Sequence, residues 1–149
     1  MTTSGEIVSR PASIEAIIDL RNEVIIAGTD RDSPYFDGDH AATTRHFGAF
    51  LDDRNVGCLS FFLNEWKGEP AWQLRGMATH PGYPGRGVGR CLLRFAEESL
   101  RQESKVWLLW CNARTPAVGF YEKQGWRVES EEFVIKGVGP HFRMSKRLE

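Results

Sequence analysis

The period of the apolar residues changes several times along the chain, and each change marks an element. Glu6 to Arg10 reads as a short strand broken by Pro11. Ser13 is placed to cap a helix whose Ile14, Ile17, Ile18, Val24 and Ile25 share one face, with Gly28 at its C-terminal end. Thr29 to Thr44 is polar, holds Pro34, Gly38 and four aspartates, and reads as a loop. From Phe47 the period drops to two: Phe47, Ala49 and Leu51 alternate, the turn Asp52-Asp53-Arg54-Asn55 follows, and Val56 to Leu63 forms the second arm of a hairpin. A turn from Glu65 to Pro70 leads into a strand from Ala71 to Thr79, in which Gly76 predicts a bulge or a close backbone approach.

Helical periodicity returns after a run of glycines. Val88, Leu92, Phe95, Ala96 and Leu100 recur on one face, with arginines and glutamates opposite. Val106 to Cys111 is wholly apolar and suits a central strand. Thr115-Pro116 opens a helix that Gly125 closes, and two strands, Trp126 to Ile135 and His141 to Arg147, flank a Lys136-Gly137-Val138-Gly139-Pro140 turn. The pattern predicts one α/β domain over residues 1–149, with a mixed, mostly antiparallel central sheet of about seven strands flanked by helices.

Composition narrows the function classes. With 41% hydrophobic and 26% charged residues and a net charge of −1, the chain is ordinary globular protein with no electrostatic pull toward nucleic acid or an anionic membrane. Its 149 residues suffice for a core that needs neither metal nor disulfide, and no metal ligand set is assigned. Cys58, Cys91 and Cys111 lack metal-ligand or redox spacing, and the first ten residues contain Glu6 and no apolar run. These features predict a soluble cytoplasmic protein whose three thiols are reduced and packed in the core.

The chemistry concentrates at Gly82 to Gly89, four glycines in eight residues between a strand and a helix. Glycines let a backbone approach a ligand, and the first N–H groups of a helix attract negative charge, so this turn reads as a pyrophosphate cradle. A Walker loop would require Lys-Ser/Thr after the last glycine, but Val88-Gly89 follows Gly87. The dinucleotide fingerprint starting at Gly85 finds Arg90 in its third glycine position, and no βαβ repeat surrounds it.

Pro84-Gly85-Arg86-Gly87-Val88-Gly89 resembles motif A of the GNAT superfamily of N-acetyltransferases. Cys111-Asn112-Ala113-Arg114 through Gly119-Phe120-Tyr121-Glu122-Lys123-Gln124-Gly125-Trp126 resembles the same superfamily's motif B. The resemblance implies that acetyl-CoA, as acetyl donor, lies across Met77, Ala78, Thr79, Pro84, Gly85, Arg86, Gly87, Val88, Gly89 and Arg90. Its pantetheine would enter between splayed strands, with Asn112 near the acetyl end. Tyr121 would serve as the general acid for the departing thiolate. Simpler readings stand beside these: Asn112 terminating a strand, and Tyr121 packed under its helix. Pro84 departs from the motif's usual Arg or Gln and removes one N–H, a loss for which Arg86 or Arg90 would compensate.

The resemblance further implies a small-molecule or peptide amine acceptor that attacks the thioester directly. Deprotonating a lysine-like amine at pH 7 costs about 4.6 kcal/mol, so a proton acceptor is needed. His46, His80 and His141 titrate in the right range, and the residues leave that choice open. Asp37, Asp39 and His40 read as a solvated loop or as an attractor for a cation, whereas Arg75 reads as a surface ion pair or as a carboxylate receptor. Exposed final strands suggest a homodimer. A second class of function remains open, a catalytically weak CoA-binding regulatory module, to which Pro84 and the absence of a central-strand glutamate point. A purely structural domain would bind no CoA.

Overall fold

The computed structural model describes residues 5–149; the part of the N-terminal reading that rests on residues 1–4 lies outside them. Among the described residues, eight strands form one sheet with helices on both faces. They are β1 (Ile7–Pro11), β2 (Arg45–Leu51), β3 (Arg54–Trp66), β4 (Glu69–Thr79), β5 (Leu108–Arg114), β6 (Arg127–Val128), β7 (Phe133–Ile135) and β8 (Gly139–Arg147). The order is β1-β2-β3-β4-β5-β8-β6, with β7 also pairing β8. Among the described residues, only β4 and β5 run parallel, and every other pairing is antiparallel.

The helices cover both faces. Strand side chains alternate between faces, so Cys58 and Ala78 pack with Ile14, Ile17, Ile18 and Leu20 of α1 (Ile14–Arg21). Leu59, Phe47 and Leu109 pack on the other side with Leu92, Leu93, Ala96 and Leu100 of α2 (Val88–Glu103). The α2–sheet contact is close at Gly57, where a Cβ would stand 2.8 Å from Val88 Cγ1. A short α3 (Val118–Lys123) follows a 3₁₀ turn at Thr115–Ala117. Among the described residues, no helix is long and apolar enough to cross a membrane.

Several expected boundaries move, each for a physical reason. Ser13 caps α1 as expected, its hydroxyl accepting from Ala16 N at 3.3 Å. Beyond Arg21, however, the helix widens into a π-helical turn, Asn22–Ile26, closed by Ala27 N to Asn22 O at 2.8 Å. The wider turn shifts the apolar face: Ile26 is buried, while Val24, expected inside, is exposed. The β3–β4 hairpin runs past Leu63 to Trp66, because Lys67 and Gly68 both take positive φ and form a tight turn. Cross-strand pairs hold this extension, Asn64 Nδ2 donating to Gln73 Oε1 and Trp66 stacking on Trp110.

Strand β5 continues to Arg114, so Asn112 lies inside it and does not terminate it. The single strand expected over Trp126–Ile135 divides into β6 and β7. Between them Ser130 leaves the ladder, its hydroxyl accepting from Arg143 N at 2.9 Å in place of a backbone partner. That division makes eight strands where about seven were expected.

Candidate active site

The site begins where β4 and β5 part. Their parallel pairing extends only from Trp72–Leu109 to Leu74–Cys111, after which each strand keeps a single neighbour. A bulge in β4 accompanies the split: Ser60 faces Arg75 and Cys58 faces Ala78, so three steps on β4 match two on β3. Gly76 sits in the bulge at φ +68°, and a Cβ there would stand 3.0 Å from Arg21 Nε and 3.1 Å from Phe36 Cε2. Only glycine satisfies both demands, as Gly76's position in the strand predicted.

Two cavities open from the split. The larger, about 640 Å³, lies against the glycine-rich turn. Met77, Ala78, Thr79, Pro84, Gly85, Gly87, Val88, Gly89, Arg90 and Tyr121 all line it. Gly85 and Gly87 take φ of +74° and +67°. Gly87 is the N-cap of α2 and supplies no side-chain cap, and the first turn holds no acidic residue. The first intrahelical bond is Cys91 N to Gly87 O, at 3.0 Å. The N–H groups of Val88, Gly89 and Arg90 therefore precede the first bond of a sixteen-residue helix, which is what an anion site requires.

Arg86 stands apart from this cavity. Its guanidinium donates to the carbonyl of Gly5 at 2.5 Å, pinning the segment before β1. Of the two arginines expected to compensate for the missing Pro84 N–H, Arg90 lines the cavity and Arg86 does not.

The second cavity, about 340 Å³, is assembled from distant segments. Ile25 and Ile26 come from the π-helical turn, Arg31 and Phe36 from the loop after it, and Arg75 and Gly76 from β4. Asn112 and Arg114 come from β5, Ile135 and His141 from β7 and β8, and Val138 from the turn between those two strands. Met77, Ala117 and Tyr121 line both cavities, so the two meet there.

Tyr121 is buried, and its hydroxyl donates to Met77 Sδ at 3.6 Å. Burial, reinforced by Cys111 beside it, pushes the phenol well above its usual range, so it keeps its proton. Asn112 Oδ1 accepts from Arg143 Nε at 3.4 Å, across the β5–β8 pair. Burial pushes Cys111, in the wall of the second cavity, up to about 12, and Cys58 likewise. Neither is a ready nucleophile. Cys91, expected in the core, is exposed on the outer face of α2.

Beneath the second cavity lies a buried polar network that corrects the loop reading. Asp39 is buried and takes a two-point ion pair from Arg21, NH1 to Oδ2 at 2.7 Å and NH2 to Oδ1 at 3.1 Å. Burial raises the Asp39 pKa, but Arg21 and the Phe36 N–H outweigh it and hold the carboxyl below its usual range. Arg21 NH2 also donates to Ser60 Oγ at 3.0 Å; that hydroxyl bonds His46 Nδ1 at 2.6 Å, and His46 Nε2 donates to the Asp39 carbonyl at 2.9 Å. Burial lowers the His46 pKa, so this histidine is a neutral link in the network.

The other two histidines face the cavities. His80 lines the first, its Nδ1 accepting from Gly82 N at 2.9 Å. His141 lines the second, with Nδ1 2.7 Å from the Gly139 carbonyl. Because a carbonyl only accepts, Nδ1 donates in that contact, and Nε2 is the ring nitrogen left for another partner. Arg75 is half-buried rather than part of a surface ion pair, its guanidinium lying over the Phe36 ring at 4.2 Å.

Sequence reasoning missed Arg31, Arg114 and the π-helical turn. Arg21 carried a signal that could have found the network: it continues the Ile14, Ile17, Ile18 stripe, and an arginine on an apolar stripe calls for a buried partner.

Comparison with known proteins bears on this geometry. The family described as "Acetyltransferase (GNAT) family" matches residues 14–126. The uncharacterized N-acetyltransferase YitI of Bacillus subtilis (strain 168) is 35% identical over 142 residues, 91% of this chain and 93% of the relative. An acyl-CoA N-acyltransferase from Pseudomonas aeruginosa has a similar structure, with a TM-score of 0.75 at 18% identity over 95% of this chain and 99% of its own. So does an aminoglycoside 6'-N-acetyltransferase complexed with coenzyme A, with a TM-score of 0.73 at 12% identity over 95% of this chain and 97% of its own. At such identities the two structures speak for the fold.

Proposed function

The chain belongs to the acetyltransferase (GNAT) family, and on that premise we propose that it moves an acetyl group from acetyl-CoA to a primary amine. The reading rests on one observation: an anion-ready cradle and a separate cleft meet at Met77 and Tyr121. One holds a donor and the other an acceptor, and their junction is where the acyl group changes hands. Acetyl-CoA supplies the activated acyl group. The N–H groups of Val88, Gly89 and Arg90 hold its pyrophosphate, and the bulged edge of β4 near Met77 and Thr79 aligns the pantetheine.

The amine nitrogen forms a bond to the acyl carbon, the carbon–sulfur bond breaks, and CoA leaves as its thiol. One proton leaves nitrogen and one reaches sulfur. His141 Nε2 is the acceptor this cleft offers for the first. Tyr121 assists the second. A CoA thiol resembles cysteine, with a pKa of about 8.5, whereas the buried phenol holds its proton far more tightly. Tyr121 therefore stabilises the departing sulfur by donating a hydrogen bond more than by surrendering a proton. Cys111 remains a thiol, so no acyl-cysteine enters the path.

One observation favours a weaker enzyme or a CoA-binding regulatory module: no aspartate or glutamate lines either cavity among the described residues. Thermal unfolding with acetyl-CoA, CoA or NADH tests the donor site. At hundredfold excess over its dissociation constant, acetyl-CoA stabilises by about 2.7 kcal/mol, a rise of several degrees that NADH does not reproduce. No rise with either CoA species would refute the cradle.

A further inference from the structure

The charged side chains lining the acceptor cleft share one sign. Arg31, Arg75 and Arg114 all line it, and no carboxylate does among the described residues. Among the described residues, the Arg31 guanidinium donates only to backbone carbonyls, of Ser33 and Tyr35. Arg75 and Arg114 have no ion pair within 4.0 Å among the described residues. The buried acid below, Asp39, is already committed to Arg21 and the Phe36 N–H.

Arg75 is also held in place. Its guanidinium lies over the Phe36 ring at 4.2 Å and 5.8 Å from the Phe62 centroid, while Arg21 approaches Phe36 at 4.1 Å. A half-buried guanidinium among other guanidinia, stacked and with no carboxylate at ion-pair distance, is disfavoured until an anion arrives. Burial and the charges of Arg31 and Arg21 lower its pKa, outweighing an opposing pull from Asp39 and Asp37. Apolar side chains complete the cleft: Ile25, Ile26, Ile135 and Val138.

We propose that the acceptor is an amine bearing a carboxylate on an apolar body, gripped through that carboxylate by Arg75 with Arg114 and Arg31 around it. This deepens the acyltransfer reading and rests on it. A polyamine or a polycationic acceptor meets three like charges and is rejected, whereas a carboxylate matches the guanidinium fork.

Thiol release from acetyl-CoA is compared for matched acceptors: phenylalanine against phenethylamine, methionine against 3-(methylthio)propylamine, with spermidine as polycation and 1-amino-2-phenylethylphosphonate as the other oxyanion. The carboxylate members should exceed their decarboxylated partners in kcat/KM, and a lead by the phosphonate would overturn the choice of carboxylate. Arg75→Gln should raise KM for the acids roughly 10- to 100-fold, the worth of a hydrogen bond to a charged group. It should not raise KM for the decarboxylated amines, so the preference for the acid within each pair collapses, a comparison that also removes any effect of differing amine basicity. Arg114→Gln, at an exposed position, gives a smaller rise in the same direction and serves if Arg75→Gln fails to fold.

Preference for spermidine or the decarboxylated amines, or a carboxylate preference that survives both substitutions, would overturn the proposal. If no amine releases thiol, calorimetry of the same acids on CoA-saturated protein decides: binding lost in the arginine variants supports the cleft's ligand even as the acyltransfer reading fails, and no binding overturns it.

Discussion

The two cavities that meet at Tyr121 are built on opposite principles. The cavity we assign to the donor is mostly backbone: Met77 to Arg90 is one contiguous stretch, and its key groups are N–H donors at the uncapped start of α2. The acceptor cleft is mostly side chain, drawn from several segments between Ile25 and His141. A shared donor can be met by peptide geometry that glycines permit. An acceptor that differs between relatives demands side chains, which change without disturbing the scaffold. The contrast explains why the glycine-rich turn announces its ligand class and the other cleft does not.

Asp39→Ala should break the acceptor side hardest. Removing the carboxylate leaves Arg21 buried and unpaired, at a cost of about 3–5 kcal/mol, read as a lower urea midpoint. Because Arg21 and Phe36 form the floor under Gly76 and Arg75, the surviving folded fraction should lose acceptor affinity while acetyl-CoA still raises its melting temperature. Loss of both effects together would deny the separation of the two cavities.

Gly87→Val attacks the cradle. A β-branched residue at φ +67°, with its Cβ 3.2 Å from the Arg90 guanidinium, costs roughly 1–2 kcal/mol in stability. It also weakens acetyl-CoA binding, and the stabilisation by acetyl-CoA should shrink while acceptor KM stays put. Tyr121→Phe is the mildest change. Its hydroxyl has only a thioether partner, so folding is nearly unaffected, and kcat should fall about 2- to 10-fold, the worth of one neutral hydrogen bond. A loss of several orders of magnitude would make Tyr121 an obligatory acid, contrary to its tightly held proton.

What the sequence revealed follows the same division. Local rules decide the Ser13 cap, the bulge at Gly76 and the start of α2, and each was legible because one or two neighbouring residues determine it. The π-helical turn at Asn22–Ile26 was not, because apolar residues at 24, 25 and 26 satisfy several helical phases until the fold chooses one. Asp39 looked solvated because its partner lies eighteen residues earlier, on a helix. The break between β6 and β7 depends on a Ser130 hydroxyl replacing a backbone bond, a choice made by β8. Arg31, Arg75 and Arg114 become one feature only when three segments converge.

The central claim is that donor and acceptor meet at Tyr121 and Met77 for direct transfer. The most direct measurement is CoA thiol release from acetyl-CoA across the amine panel, with product mass determined. The account predicts thiol release that depends on the amine, one equivalent of N-acetyl product per thiol, and no acetylated enzyme. Acetyl-CoA binding without amine-dependent release, or an acetyl group trapped on the protein as an intermediate, would contradict it.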